Sequence, residues 1–229
     1  MFAALVAIAG VWRSADAAVI VDHPDFASVS GLKLNGTAQR FGDSIRLVEA
    51  DDGGAASVFT RRSVVRLDRS FASSFRVYAT DAKDVANHGY AFVVHGRGEG
   101  ALGEGDDGLG YEGIRPSVAV EFDFYLDGLA VNDHHVAITK NGDTEDQPRA
   151  PFFLAYGSTV RALVKYNAKR HRMELFATQM GPMPSDPLVK RRVNLERLIG
   201  RRGRAGFTAS ATVGGSTQEL QSWVLRGSR

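Results

Sequence analysis

Residues 117–138 read SVAVEFDFYLDGLAVNDHHVAI. Through its first half, apolar and polar side chains alternate with a period of two, the repeat of an extended strand with unlike faces. Val118, Val120, Phe122 and Phe124 point one way, while Glu121, Asp123, Tyr125 and Asp127 point the other. Asp133, His134 and His135 follow immediately before a second apolar run, and no Lys or Arg occurs between Ser117 and Thr139. Carboxylates two residues apart on one strand face lie about 7 Å apart and repel one another. Without a nearby cation they face bulk water, take up protons or bind a metal. An oxygen-rich set suits Ca²⁺, and an imidazole beside it suits a transition metal such as Mn²⁺. The competing reading is the solvated face of an edge strand, where charge discourages aggregation. His134 alone reads as a surface residue; His135, at the head of the next strand, is the better ligand candidate.

The same two-residue period extends outward along most of the chain. Strands are expected at 31–39, 44–49, 57–67, 70–80, 90–94, 118–124, 136–139, 159–166, 173–178, 205–211 and 220–225, separated by Gly, Asp and Ser. Short strands at this spacing indicate an all-β sandwich or barrel. Only 194–200, with Leu195, Leu198 and Ile199 apolar, has the spacing of a helical turn. No internal repeat or Pro/Ser-rich linker divides the chain, so a single domain is expected. Phe71, Phe75, Phe92, Phe152, Phe153, Phe176, Phe207 and Trp223 fall at core positions of the pattern, and His95 and His171 read as surface residues. Nine of the 25 glycines lie from Gly89 to Gly113, eight of them in HGRGEGALGEGDDGLGYEG. Such a run is either a flexible loop or a folded one whose backbone needs positive φ or close approach to a ligand.

The 229 residues carry 28 Lys+Arg against 26 Asp+Glu, with 44% hydrophobic residues and no cysteine. This is enough apolar content for a full core, which excludes a disordered tail. The absence of cysteine excludes disulfides, thiolate metal sites and a thiol nucleophile. No apolar run reaches the length of a membrane-spanning helix, and a net charge of +2 is not that of a nucleic-acid binder. The total conceals two blocks: 12 acidic and 2 basic residues within 99–146, and 12 basic and 3 acidic within 161–204. At the amino terminus an Ala/Val/Ile-rich run precedes Ala15-Asp16-Ala17. This reads as a secretory signal peptide, 1–17, cleaved after Ala17, although no Lys or Arg precedes the run; a mature apolar strand is the alternative. The domain is then 18–229 and the protein secreted or periplasmic.

LGYEGIRPSVAVEFDFYLD followed by NDHHVAITKNG resembles the metal-site region of L-type (legume-type) lectins, especially their bacterial relatives. HGYAFVV upstream and RAGFTASATVGGSTQELQSWVL downstream resemble two further segments of that family in the same order. The resemblance implies a jelly-roll β-sandwich of the concanavalin A-like kind, with a flat back sheet, a curved front sheet and loops forming a shallow glycan site. It also implies a structural Ca²⁺ and transition-metal pair, the latter usually Mn²⁺. By position, Glu121, Asp123 and His135 would hold the transition metal. Asp123, the Tyr125 carbonyl and Asp127 would hold Ca²⁺, and Asp133 matches a second bridging carboxylate, although its spacing to His135 is short. A site holding Ca²⁺ alone is the alternative. The implied carbohydrate-binding residues are His88, Gly89, Gly108, Tyr125, Asp127 and, in the variable loop, Thr212. Relatives often pair as homodimers through their back sheets.

Two departures from the family pattern bear on function. His88 stands where the family has an Asp, often after a cis peptide, and a neutral imidazole lacks the two carboxylate oxygens that accept sugar hydroxyls. Asp127 stands where an Asn serves both metal and sugar, keeping an oxygen but losing an amide donor. Binding to glycans without catalysis is the resulting expectation. One rival is a lectin-fold interaction domain that has lost its sugar. The other is a jelly-roll glycoside hydrolase, for which the second carboxylate at the required spacing is missing, since Tyr125 and Leu126 occupy its positions.

Overall fold

The structure, a computed structural model, describes residues 17–62, 64–80, 88–124, 134–142, 148–152 and 157–228. Its strands in chain order are β1 (Ala17–His23), β2 (Leu32–Gly36), β3 (Gln39–Phe41), β4 (Ser44–Val48), β5 (Gly54–Thr60), β6 (Val65–Arg66), β7 (Phe71–Ala79) and β8 (Gly89–His95). After a 3₁₀ turn at Asp106–Gly108 come β9 (Ser117–Asp123), β10 (His135–Lys140), β11 (Arg149–Pro151), β12 (Ser158–Asn167), β13 (Arg172–Thr178) and β14 (Val189–Arg192). Helix α1 (Leu195–Ile199), β15 (Arg202–Ala211) and β16 (Gln218–Ser228) close the series.

These strands form two antiparallel sheets. The back sheet has the order β14-β13-β12-β7-β16-β4-β3, with β1 also pairing with β16. The front sheet has the order β11-β10-β9-β8-β15-β5-β2, with β6 pairing with β15. Consecutive strands β8–β11 and β12–β14 stay side by side within one sheet, while the chain crosses between layers at, among others, β4/β5, β7/β8, β11/β12, β14/β15 and β15/β16, as in the expected jelly-roll sandwich. Alternation sends Phe71, Phe75 and Val77 of β7 inward to meet Phe92, Val120, Phe122 and Phe207 of the front sheet. The Phe75 ring stacks on Phe92, 5.9 Å between centroids, and meets Phe207 edge-on at 4.9 Å. Trp223 is fully buried against Phe207, and its indole N–H donates to Ser73 Oγ at 3.0 Å.

The structure corrects several expectations. The strand expected at 31–39 divides between sheets, because Gly36 takes φ +62° and a Cβ there would stand 2.2 Å from the Ala55 carbonyl oxygen. Residues 57–67 likewise divide into β5 and β6. Strands β1, β11 and β14 were not expected: β11 is too short to show a period, and β14 reads as a run of cations. The helical turn at 194–200 forms, with the Asn194 side chain accepting the Arg197 N–H. His95 is buried rather than exposed, its ring edge-on to Phe59 at 4.2 Å, and His134 is also buried, tilted against Phe124. Phe176 is buried outside the central core, beneath the Lys165 ammonium at 4.5 Å. Phe152 is half-buried against the core, and Phe153 lies outside the described residues.

Candidate functional site

Strands β8, β9 and β10 bring the expected site residues to one end of the front sheet. Gly89 and His135 flank Asp123 across the two ladders, and Ala91 and Ala137 flank Glu121. Three alanines, 91, 119 and 137, therefore surround Glu121 on the outer sheet face and leave room above it. The Gly-rich segment fills that room. It is folded: the Gly103 N–H donates to the Gly110 carbonyl at 2.8 Å, the Gly110 N–H to the Glu104 carbonyl at 2.7 Å, and Glu104 pairs with Glu112. Gly110 at φ +70° lies so close to the Ala56 and Ala209 carbonyl oxygens that a Cβ would meet them at 3.0 and 2.9 Å. Leu109, Tyr111 and Ile114 then pack on Phe59, Ala91, Val93 and Ala119 as a second core on the outer face.

That docking buries the acidic strand instead of leaving it solvated. Glu121 is 2% exposed; its Oε2 accepts the Tyr111 hydroxyl and its Oε1 lies 3.3 Å from His135 Nε2. Burial, and then the Glu121 charge, raise the Tyr111 phenol far above its ordinary range, so it remains a donor. The expected choice among water, protons and metal therefore had a further outcome, partnership with an overlying loop. Tyr111 carried no role in the sequence reading. The signal was an aromatic residue set among glycines, which docks where the glycines let the backbone approach.

At the edge of this site Gly89 takes φ +140°, and a Cβ there would stand 2.0 Å from the Phe122 carbonyl oxygen, so only glycine fits. The preceding His88 is 4% exposed, and its carbonyl accepts the Phe124 N–H at 2.7 Å. Its Nδ1 lies 3.2 Å from Asp107 Oδ1 and its Nε2 3.8 Å from Asp106 Oδ1. Those two carboxylate side chains are 79% and 81% exposed. The 3₁₀ turn that presents them is pinned by Ser210 Oγ, which donates to the Asp106 carbonyl at 2.6 Å. The Gly108 N–H, expected to face a sugar, donates to the Gly105 carbonyl at 2.8 Å. Thr212 is half-buried in the adjoining loop, its carbonyl accepting the Gly215 N–H at 3.0 Å, with Val213 exposed beside it.

Tyr125, Asp127 and Asp133, and the peptide between Asn87 and His88, lie outside the described residues. Among the described residues no group of three His, Asp or Glu side chains is close enough to hold a metal. The described donors nevertheless suit a divalent cation by type: a buried carboxylate and a half-buried imidazole on adjacent strands, with Asp123 directly opposite His135.

Comparison with known proteins agrees with this architecture. Residues 22–229 match the legume lectin domain. A probable inactive L-type lectin-domain containing receptor kinase III.1 of Arabidopsis thaliana is 27% identical over 176 residues, covering 67% of this chain and 28% of that relative. Peanut lectin, solved with a 9mer peptide, superposes with a TM-score of 0.77 at 19% identity, covering 93% of this chain and 98% of its own. The lectin from Bauhinia forficata, solved in complex with GalNAc, gives a TM-score of 0.76 at 19% identity over 93% and 97%. With the family match spanning nearly all of the sandwich and its loops, the chain belongs to the legume lectin domain family.

Proposed function

We propose that this chain is a secreted, non-catalytic glycan-binding domain, 18–229, with its site at the loop end around His88, Gly89, Gly108, Tyr125, Asp127 and Thr212. The observation that carries the reading is the placement of Asp106 and Asp107 against the His88 imidazole. The family's acceptor carboxylate is absent from position 88. Two exposed carboxylates from the Gly-rich loop stand beside that position instead, next to a buried imidazole, and they offer acceptors to sugar hydroxyls. The complex of a structural neighbour with GalNAc supports a sugar of that general class as first probe.

The metal assignment belongs to the same proposal. Glu121, Asp123 and His135 would hold a transition metal, and Asp123, Tyr125, Asp127 and Asp133 a Ca²⁺. Bound cations would supply charge neutralisation to this carboxylate-rich strand. Tyr111 and His135 hold Glu121 in place, Gly89 lets β8 close on β9, and the Ser210 hydroxyl fixes the turn, so the glycan meets a preorganised surface.

A glycan array with and without EDTA tests the proposal, together with melting in Ca²⁺. Galactoside binding should be lost in EDTA and weakened at least about tenfold in the Asp106→Asn/Asp107→Asn double variant, as expected for loss of charge-assisted bonds. Excess Ca²⁺ should raise Tm. Binding to no glycan in either condition would favour the second reading, a lectin-fold interaction domain, for which His88 in place of Asp is the supporting observation.

A further inference from the structure

The basic block of the sequence gathers at the pole of the sandwich opposite the glycan loops. β15 runs from Arg202 at that pole to Ala211 at the loop end, about 30 Å at the rise of an extended strand. Its first residues pair Arg202 with Arg66 and Arg204 with His95. The Arg204 guanidinium also donates to the carbonyls of Arg61 and Arg97, drawing the ends of β5 and β8 together. On the back sheet Arg172 pairs with Arg192, and the Val193 N–H donates to the His171 carbonyl, so the β12–β13 turn and β14 reach the same end.

Residues 61–62, 64–69, 97–99, 167–174 and 189–204 together hold thirteen Arg and two Lys against Asp68, Glu99, Glu174 and Glu196. All four acids are already occupied within the pole, Glu99 by Arg61 at 3.6 Å. Asp68 is clamped by Arg66 at 2.6 Å and Arg201 at 3.3 Å, which hold its carboxyl far below the usual range. Glu174 meets Arg172 at 2.6 Å and Glu196 meets Arg201 at 3.8 Å. Arg62, Arg97, Arg170, Arg192, Arg197 and Arg202 are exposed around them.

We propose that this pole is a second binding surface, for an acidic polysaccharide carrying carboxylate or sulfate groups. Three observations select that partner. Arginine predominates, and its planar fork pairs in bidentate fashion with such oxyanions, whereas lysine offers only a point charge. The exposed large hydrophobic residues among those described are Val19, Phe41, Leu102, Met180 and Val213, none in these segments, so the pole has no apolar wedge for a bilayer. It equally presents no exposed aromatic ring on which nucleic-acid bases would stack. The separation from the loop end exceeds the screening length of about 8 Å at physiological ionic strength, so the surface acts independently of the glycan site.

The test uses the full chain on immobilised heparin and immobilised polygalacturonate at physiological ionic strength. Wild-type protein should bind both, be released by salt, and be indifferent to EDTA and to free galactose. Arg62→Gln/Arg170→Gln/Arg202→Gln should weaken binding about tenfold. Arg40→Gln/Arg76→Gln/Arg161→Gln, which removes the same net charge from the back sheet, should leave it within twofold. Equal weakening in both triple variants would reduce the effect to bulk charge and overturn the proposal. So would an absence of wild-type retention, or tighter binding to vesicles containing phosphatidylserine than to either polymer. Failure of the glycan array leaves this outcome untouched, because the probes, the residues and the cation dependence all differ.

Discussion

At the last position of β8 the His95 ring is buried edge-on to Phe59, with Nδ1 accepting the Arg97 N–H at 3.0 Å. Burial first, and then the charges of Arg204 and Arg97, hold its pKa down at about 4. The unfolded chain protonates this imidazole near its ordinary 6.5, so between the two values the unfolded state binds more protons than the folded one. Stability is therefore fully present above about pH 6.5 and falls as pH drops towards 4, by about 3 kcal/mol at most. His95→Gln keeps an acceptor for Arg97 without the titration. It should flatten that part of the pH profile in urea midpoints taken between about pH 7 and pH 4.5. Parallel profiles in the two proteins would refute the assignment. Nothing in the sequence marked His95 as buried, because a strand-terminal His beside glycines looks like any loop residue. His88 was legible as a departure from its family, but not the carboxylates that stand beside it.

At the scale of the element, the acidic strand and the Gly-rich loop make a single unit. Alternation in β9 was readable residue by residue, since Val118, Val120 and Phe122 needed only a two-fold period to be assigned inward. What lay over the opposite face was not readable, because the loop docks through tertiary contacts made by Leu109, Tyr111 and Ile114. Tyr111→Phe removes one hydroxyl and leaves the docking surface intact. It should cost about 1.5–3 kcal/mol, the usual range for a bond to a charged acceptor, with an unchanged denaturant m-value. A loss below about 0.5 kcal/mol would mean that Glu121 finds a replacement donor at no cost. The glycines of the loop thus serve a defined fold, and the reading of this segment as a flexible connector is set aside.

For the whole molecule the two sheets share one aromatic core, and Phe75 on the back sheet touches Phe92, Phe122 and Phe207 on the front. Phe75→Ala should cost about 3–5 kcal/mol and lower one shared unfolding transition. Near-ultraviolet and far-ultraviolet circular dichroism would move together; separate transitions would show that the layers fold independently. No helix among the described residues is long and apolar enough to cross a membrane. The charge total of +2 is revealed as spatial segregation, with carboxylates at the loop end and arginines at the far pole. By itself the sequence determined the all-β class, the inward faces of the strands and the legume lectin family, because a two-residue period and ordered motifs are local properties. Tertiary structure alone decided which strand joined which sheet, what covered Glu121, what stood beside His88 and where the cations met. Each of these depends on contacts between segments far apart in the chain, and such contacts leave no period in the sequence.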